Sequence, residues 1–211
     1  MELIVIRHGE SLNNVPGSTW MPDPDLSPRG IEQARALGER MAGVRIDALL
    51  ASPLKRALRT ANEISIRKGN MPVRILHELV EIGTDYRTIC HAEARAFCPA
   101  ALPYEDLPAG NYGDGYYLHI KDPWYMMSRG YRVISRIRQT FPEDAAVAIV
   151  AHVGFNQRLL AAALGIPCPP GLKFEQGNTC VNVIRYSLGE DGREQTRLVL
   201  LNDTSHLRWH G

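Results

Sequence analysis

Leu3-Ile-Val-Ile-Arg-His-Gly-Glu10 opens the chain with four apolar residues and then turns abruptly to arginine, histidine and glycine. A short β-branched run with no helical spacing reads as a buried strand. Arg7 and His8 then stand just past its carboxyl end. Residues 11–27, rich in Asn, Pro, Gly and Asp, read as loop. Ser27-Pro28 next gives an N-cap followed by proline at the first helical position. Ile31, Ala34, Leu37 and Met41 follow at helical spacing up to Gly43.

The same alternation repeats along the chain. Ile46–Leu50 reads as a second strand, and Ser52-Pro53 as a second helix start with the stripe Leu54, Ala57, Leu58, Ala61 and Ile64. Val73–Leu76 reads as a third strand. Residues 84–128 hold six of the eight tyrosines and little periodicity, and read as an inserted cap or lid with a short helix around His91–Phe97. A helix over Arg129–Phe141, a strand at Ala146–Val150 and a helix from Gly154 to Leu164 follow, stopped by Gly165 and Pro167. Thr179–Tyr186 and Thr196–Leu201 read as closing strands. Alternating strands and helices specify an α/β fold. The expectation is a single domain over 1–211, a three-layer sandwich with a mostly parallel central sheet, helices on both faces and the inserted cap at 84–128.

The bulk numbers narrow the function. A chain of 211 residues can bury roughly 70% of its unfolded surface, so it needs no metal or disulfide staple. A net charge of +1 gives no bulk attraction to nucleic acid or to an anionic membrane. The longest apolar stretch, Ala145–Val153, is far short of a membrane span. The chain enters a strand at once, with no basic region, apolar core and cleavage site, so no secretory signal is expected. Cys90, Cys98, Cys168 and Cys180 form no CxxC pair and no metal-like spacing with histidine. Four free thiols in a cytoplasmic protein are expected.

Ligands of open α/β sheets bind beyond the carboxyl ends of strands, where Arg7, His8, Arg56, Glu78, Glu81 and His152 fall. Arg56 is informative because a cation in the first turn of a helix is disfavoured by about 0.3–1 kcal/mol. Its presence makes sense if an anion docks there, as phosphate does at helix N-termini. A neutral imidazole near its ordinary pKa is a competent nucleophile toward phosphorus, and Gly9 lets the backbone fold tightly under the His8 ring.

Leu3-Ile-Val-Ile-Arg-His-Gly-Glu-Ser11 with Asn14 resembles the signature of the histidine phosphatase superfamily, the phosphoglycerate mutase-like family. Leu26-Ser-Pro-Arg-Gly30 with Gln33-Ala34, Ser52-Pro-Leu-Lys-Arg56-Ala57, Leu79-Val-Glu81-Ile-Gly83, Val150-Ala-His152-Val-Gly154 and Asn202–Leu207 are similar to its later blocks, in the same order. The resemblance implies a phosphatase acting on phosphate monoesters. His8 would become phosphohistidine. Arg7, Arg56 and His152 would hold the phosphoryl oxygens, and Asn14 would line the pocket. Glu81 would protonate the leaving oxygen and then activate water, with Glu78 as second choice. No metal and no cofactor is implied, and the partner is a small phosphorylated substrate, with no nucleic acid, no membrane and no oligomeric state specified. A cofactor-dependent phosphoglycerate mutase and a catalytically weak phospho-ligand-binding domain stay as alternatives. After Glu81 the chain lacks the mutase stretch Glu-Arg-His-Tyr-Gly and reads Glu81-Ile-Gly-Thr-Asp-Tyr86. The aromatic residues of 84–128 and the lack of Lys or Arg in 11–27 predict a monophosphate with an apolar body rather than a polyanion.

Overall fold

A computed structural model of the chain describes residues 1–82, 89–103, 105, 122–169 and 171–207. Its elements run β1 (Glu2–Arg7), α1 (Pro28–Ala42), β2 (Ala48–Ala51), α2 (Lys55–Arg67), β3 (Val73–Ile75), α3 (His91–Phe97), α4 (Pro123–Thr140), β4 (Ala146–Ala151), α5 (Val153–Leu164), β5 (Val181–Leu188) and β6 (Glu194–Asp203). The sheet order is β3-β2-β4-β1-β5-β6. The β1–β4, β2–β4 and β2–β3 ladders are parallel, while β1–β5 and β5–β6 are antiparallel. The sheet is therefore mixed, with β5 alone reversed.

Alternation along β1 explains the layers. Ile4 and Ile6 face one side with Leu37, Met41, Leu58 and Ile64 of α1 and α2. Leu3 and Val5 face the other with Val133, Ile137, Leu159 and Leu160 of α4 and α5. Successive strand side chains point to opposite faces, so a run apolar at every position needs helices on both sides. Ala94 and Cys98 of the α3 region join the first of these cores.

Most boundaries shift by one or two residues from expectation, β5 to Val181–Leu188 and β6 to Glu194–Asp203 among them, and three shifts bear on the site or its surroundings. β2 starts at Ala48 rather than Ile46. α4 starts at Pro123, capped by the Asp122 carboxylate accepting from Tyr125 N. α2 starts at Lys55, with Leu54 and not Ser52 at the N-cap. Among the described residues no helix is long and apolar enough to cross a membrane. The four cysteines are free thiols.

The strand order fixes where the chemistry gathers. β2, β4 and β1 are consecutive parallel neighbours, in register at Ala51↔Val150 and Arg7↔Ala151. The residues that follow them, Ser52, His152 and His8, emerge side by side. Backbone bonds extend the ladder to these positions, from His8 N to Ala151 O at 3.0 Å and from Ser52 N to Val150 O at 3.0 Å.

Candidate active site

The loop after β1 is pinned by close backbone contact. A methyl group on Gly30 would stand 1.9 Å from the Glu10 carbonyl oxygen, and one on Gly9 2.6 Å from that of Gly30. Glu10 N donates to Gln33 Oε1 at 2.8 Å, and Ser27 Oγ donates to Glu10 Oε1 at 2.7 Å. Gly9 N donates to Thr60 Oγ1 at 3.1 Å. The Ser27–Gln33 and Thr60 positions thus hold the turn that carries His8.

His8 is buried, at 4% exposure. Its Nδ1 lies 2.6 Å from Gly9 O. A carbonyl only accepts, so Nδ1 carries the proton and Nε2 bears the lone pair. Arg56 Nε donates to that Nε2 at 3.2 Å. Burial first, then the Arg56 and Arg7 charges, hold the His8 pKa well below 6.5. The ring is therefore neutral at pH 7 in the free protein.

His152 lies beside it, with ring centroids 5.0 Å apart, and is fully buried. Its Nε2 is 2.7 Å from Ser52 Oγ. Its Nδ1 is buried without a hydrogen-bond partner among the described residues. Burial, then Arg56 and His8, push its pKa well below 6.5.

Two arginines face these rings. Arg7 donates from a terminal guanidinium nitrogen to Gln176 O at 2.6 Å, and its buried Nε has no partner among the described residues. Burial lowers its pKa, while the Cys180 thiol and the Glu81 carboxylate raise it. Arg56, in the first turn of α2, is 6% exposed and also approaches Asp23 Oδ1 at 3.5 Å. Asp23, from the 11–27 loop, accepts from Lys55 N at 3.1 Å and 3.3 Å. Burial pushes its carboxyl up to about 6, against the pull of Arg56. An internal carboxylate thus occupies the α2 N-terminus, where negative charge is favoured.

Glu81 Oε1 accepts from Ile82 N at 2.7 Å and Phe155 N at 2.9 Å, and Oε2 accepts from Gly154 N at 3.1 Å. The first turn of α5, which follows His152, therefore seats Glu81. A methyl group on Gly154 would meet Glu81 Oε1 at 2.6 Å, so glycine there is what lets the carboxylate approach. Glu78 instead pairs with Arg132 of α4 at 2.7 Å. The Asn14 carboxamide oxygen accepts from Ser11 N and Ser11 Oγ, both at 3.0 Å, inside its own turn.

Beside Arg56 a cleft of about 590 Å³ is lined by Met21, Asp23, Lys55, Ile89, Glu93 and Phe97, among others. Lys55, Asp23 and Glu93 give it both signs of charge, and Met21, Ile89 and Phe97 give it apolar walls. Tyr86, Tyr104, Tyr112, Tyr116, Tyr117, Arg87 and Lys121 of the expected lid, the Trp124 side chain, and Arg208 lie outside the described residues.

The family model of the histidine phosphatase superfamily (branch 1) matches residues 3–204. The chain belongs to that superfamily, and it is an enzyme of the phosphatase class. It is 29% identical over 192 residues to the adenosylcobalamin/α-ribazole phosphatase of Escherichia coli, covering 87% of this chain and 89% of that one. It is 32% identical over 170 residues to the glucosyl-3-phosphoglycerate phosphatase of Mycolicibacterium vanbaalenii, covering 78% and 75%. The solved structure of a mycobacterial glucosyl-3-phosphoglycerate phosphatase in complex with VO3 superposes with a TM-score of 0.66 at 25% identity, covering 95% of this chain and 98% of that one.

Sequence reasoning missed Ser52 as a partner of His152, Asp23 as a partner of Arg56, and Gln176 as the carbonyl beneath Arg7. For Ser52 the signal was its place in a strand-end block, read there as a helix cap.

Proposed function

We propose that this phosphatase hydrolyses phosphate monoesters by transferring the phosphoryl group to His8 Nε2 and then to water, without a metal. The observation that carries this reading is the His8 ring, whose Nδ1–H is tied to Gly9 O so that Nε2 bears the lone pair. In the first step Nε2 attacks phosphorus, the ester P–O bond breaks, and Glu81 gives its proton to the leaving oxygen. In the second, water attacks phosphorus, Glu81 takes its proton, and the P–N bond breaks to return neutral His8. Arg7, Arg56 and the His152 Nδ1–H hold the phosphoryl oxygens, which lets side-chain cations do the work a metal does elsewhere. Asn14 lines this pocket from the turn its carboxamide oxygen closes on Ser11. We take residues 1–211 as one domain that melts in one cooperative transition, with 84–128 as its cap. We place the protein in the cytoplasm, a reading its four free thiols support and cell fractionation checks.

Turnover of p-nitrophenyl phosphate is expected to be unchanged by EDTA and inhibited by vanadate. Vanadate adopts the five-coordinate geometry of phosphoryl transfer, and transition-state analogues bind tightly; VO3 is bound by the mycobacterial relative. Loss of activity on chelation, restored by added divalent metal, rules this mechanism out.

Glu81→Gln is expected to slow alkyl monophosphates at least about tenfold more than p-nitrophenyl phosphate, because a general acid matters most when the leaving oxygen is basic. The measurement is single-turnover phosphorylation of the enzyme by each ester. Equal slowing of the two removes Glu81 from the proton transfer and directs attention to Glu78.

A further inference from the structure

We propose that Ser52 is a positioning residue that fixes the proton of His152 on Nδ1, so that the ring presents an N–H rather than a lone pair to the phosphoryl oxygens. This rests on the reading of His152 as a phosphoryl-binding group. A fully buried imidazole among arginine charges is neutral, and a neutral imidazole has one proton for two nitrogens. With that proton on Nε2, the lone pair of Nδ1 would point at an anion and repel it.

The hydrogen bonds of Ser52 decide between the two tautomers. Its Oγ is fully buried and accepts from Leu54 N at 3.4 Å. The hydroxyl proton needs an acceptor of its own, since a buried donor left without one keeps its desolvation penalty uncompensated. Among the described residues that acceptor is His152 Nε2, at 2.7 Å. An Nε2 that accepts carries no proton, which leaves it on Nδ1, the atom without a partner among the described residues. Ser52 cannot drift from this task, because its backbone N donates to Val150 O in the adjacent strand. His8 is the same tautomer with the ring turned the other way, its Nδ1–H tied to Gly9 O and its Nε2 left with the lone pair. The two neighbouring rings therefore offer the phosphoryl group opposite chemistry, a lone pair from His8 and a donor from His152.

The test is a ¹⁵N ring spectrum of His152 in the full-length protein, with and without inorganic phosphate, together with kinetics. The wild type should show Nδ1–H, and Ser52→Ala should shift His152 toward Nε2–H. Ser52→Ala should lower kcat/KM by about 10–100-fold, as loss of such supporting partners does. Ser52→Thr, which keeps the hydroxyl, should recover most of it. In a His152→Ala background Ser52→Ala should cost less than about threefold, since coupled residues are non-additive. Nε2–H in the wild type, or an equal loss in both backgrounds, overturns the proposal. Should Ser52→Ala fail to fold in a thermal melt, the wild-type spectrum decides alone. Wild-type turnover by His152→Ala sinks the parent reading and with it the purpose given to Ser52. A large loss in His152→Ala with none in Ser52→Ala sinks the role of Ser52 alone.

Discussion

Replacing His8 by alanine is expected to reduce turnover of every phosphate monoester by a factor on the order of 10⁵ or more, because removing a nucleophile removes the pathway and not one contribution to it. The remaining groups bind and polarise the phosphoryl group but offer it no acceptor. The ring is a neutral Nδ1–H tautomer in the free protein, with its lone pair already turned toward Arg56. The variant should still fold, since Gly9 and Gly30 keep their contact and the loop keeps its bonds to Gln33 and Thr60. Steady-state hydrolysis of p-nitrophenyl phosphate reads the loss, and enzyme quenched in alkaline denaturant, where a P–N bond survives, tests for phosphoprotein in the wild type. Turnover by the variant near the wild-type rate, or a wild type that never carries phosphate on nitrogen, ends the phosphohistidine mechanism.

Arg56→Ala should cost roughly 10²–10⁴-fold in kcat, since losing one preorganised donor that meets developing charge costs about 10²–10³-fold and this residue also holds the His8 ring. Arg56 Nε orients His8, while its far end reaches toward Asp23, so under the proposed mechanism the substitution removes a nucleophile clamp and a phosphoryl clamp together. Arg56→Lys should recover only part, since an ammonium cannot donate in two directions from a planar fork. Arg56→Ala also leaves Asp23 with fewer positive neighbours, so its carboxyl, already pushed up to about 6, should titrate higher still. A loss below about threefold in Arg56→Ala would show that the guanidinium is only a structural ion-pair partner of Asp23.

The parts of this site legible in the sequence are those that punctuation marks. His8 and His152 each follow an apolar strand and precede a glycine by one or two positions, and the parallel ladders β1–β4 and β2–β4 carry these strand ends to the same edge. Arg56 was legible because a cation in a first helical turn asks for an explanation. What stayed hidden are partners contributed by irregular chain, where no periodicity reports direction. Ser52-Pro53 has the composition of a helix start, yet the helix begins at Lys55 and the orphan N–H of Lys55 is satisfied by Asp23 from a loop 32 residues earlier. That outside cap frees Ser52 Oγ to face His152. Gln176, under Arg7, stands 169 residues away along the chain. The reversed β5 was hidden as well, because a buried strand reads alike in either direction.

The turn from β4 into α5 carries His152 as its cap residue, and the next turn seats Glu81 on the Gly154 and Phe155 amides. The anion clamp and the proton carrier proposed above are thus mounted on a single lever. Any shift of α5 along its axis displaces both, so the enzyme cannot trade tighter phosphate binding against faster proton delivery by moving one alone. Under that mechanism, adaptation to a new alcohol falls to walls that do not bear on this lever, and Met21 and Phe97 of the cleft beside Arg56 are such walls.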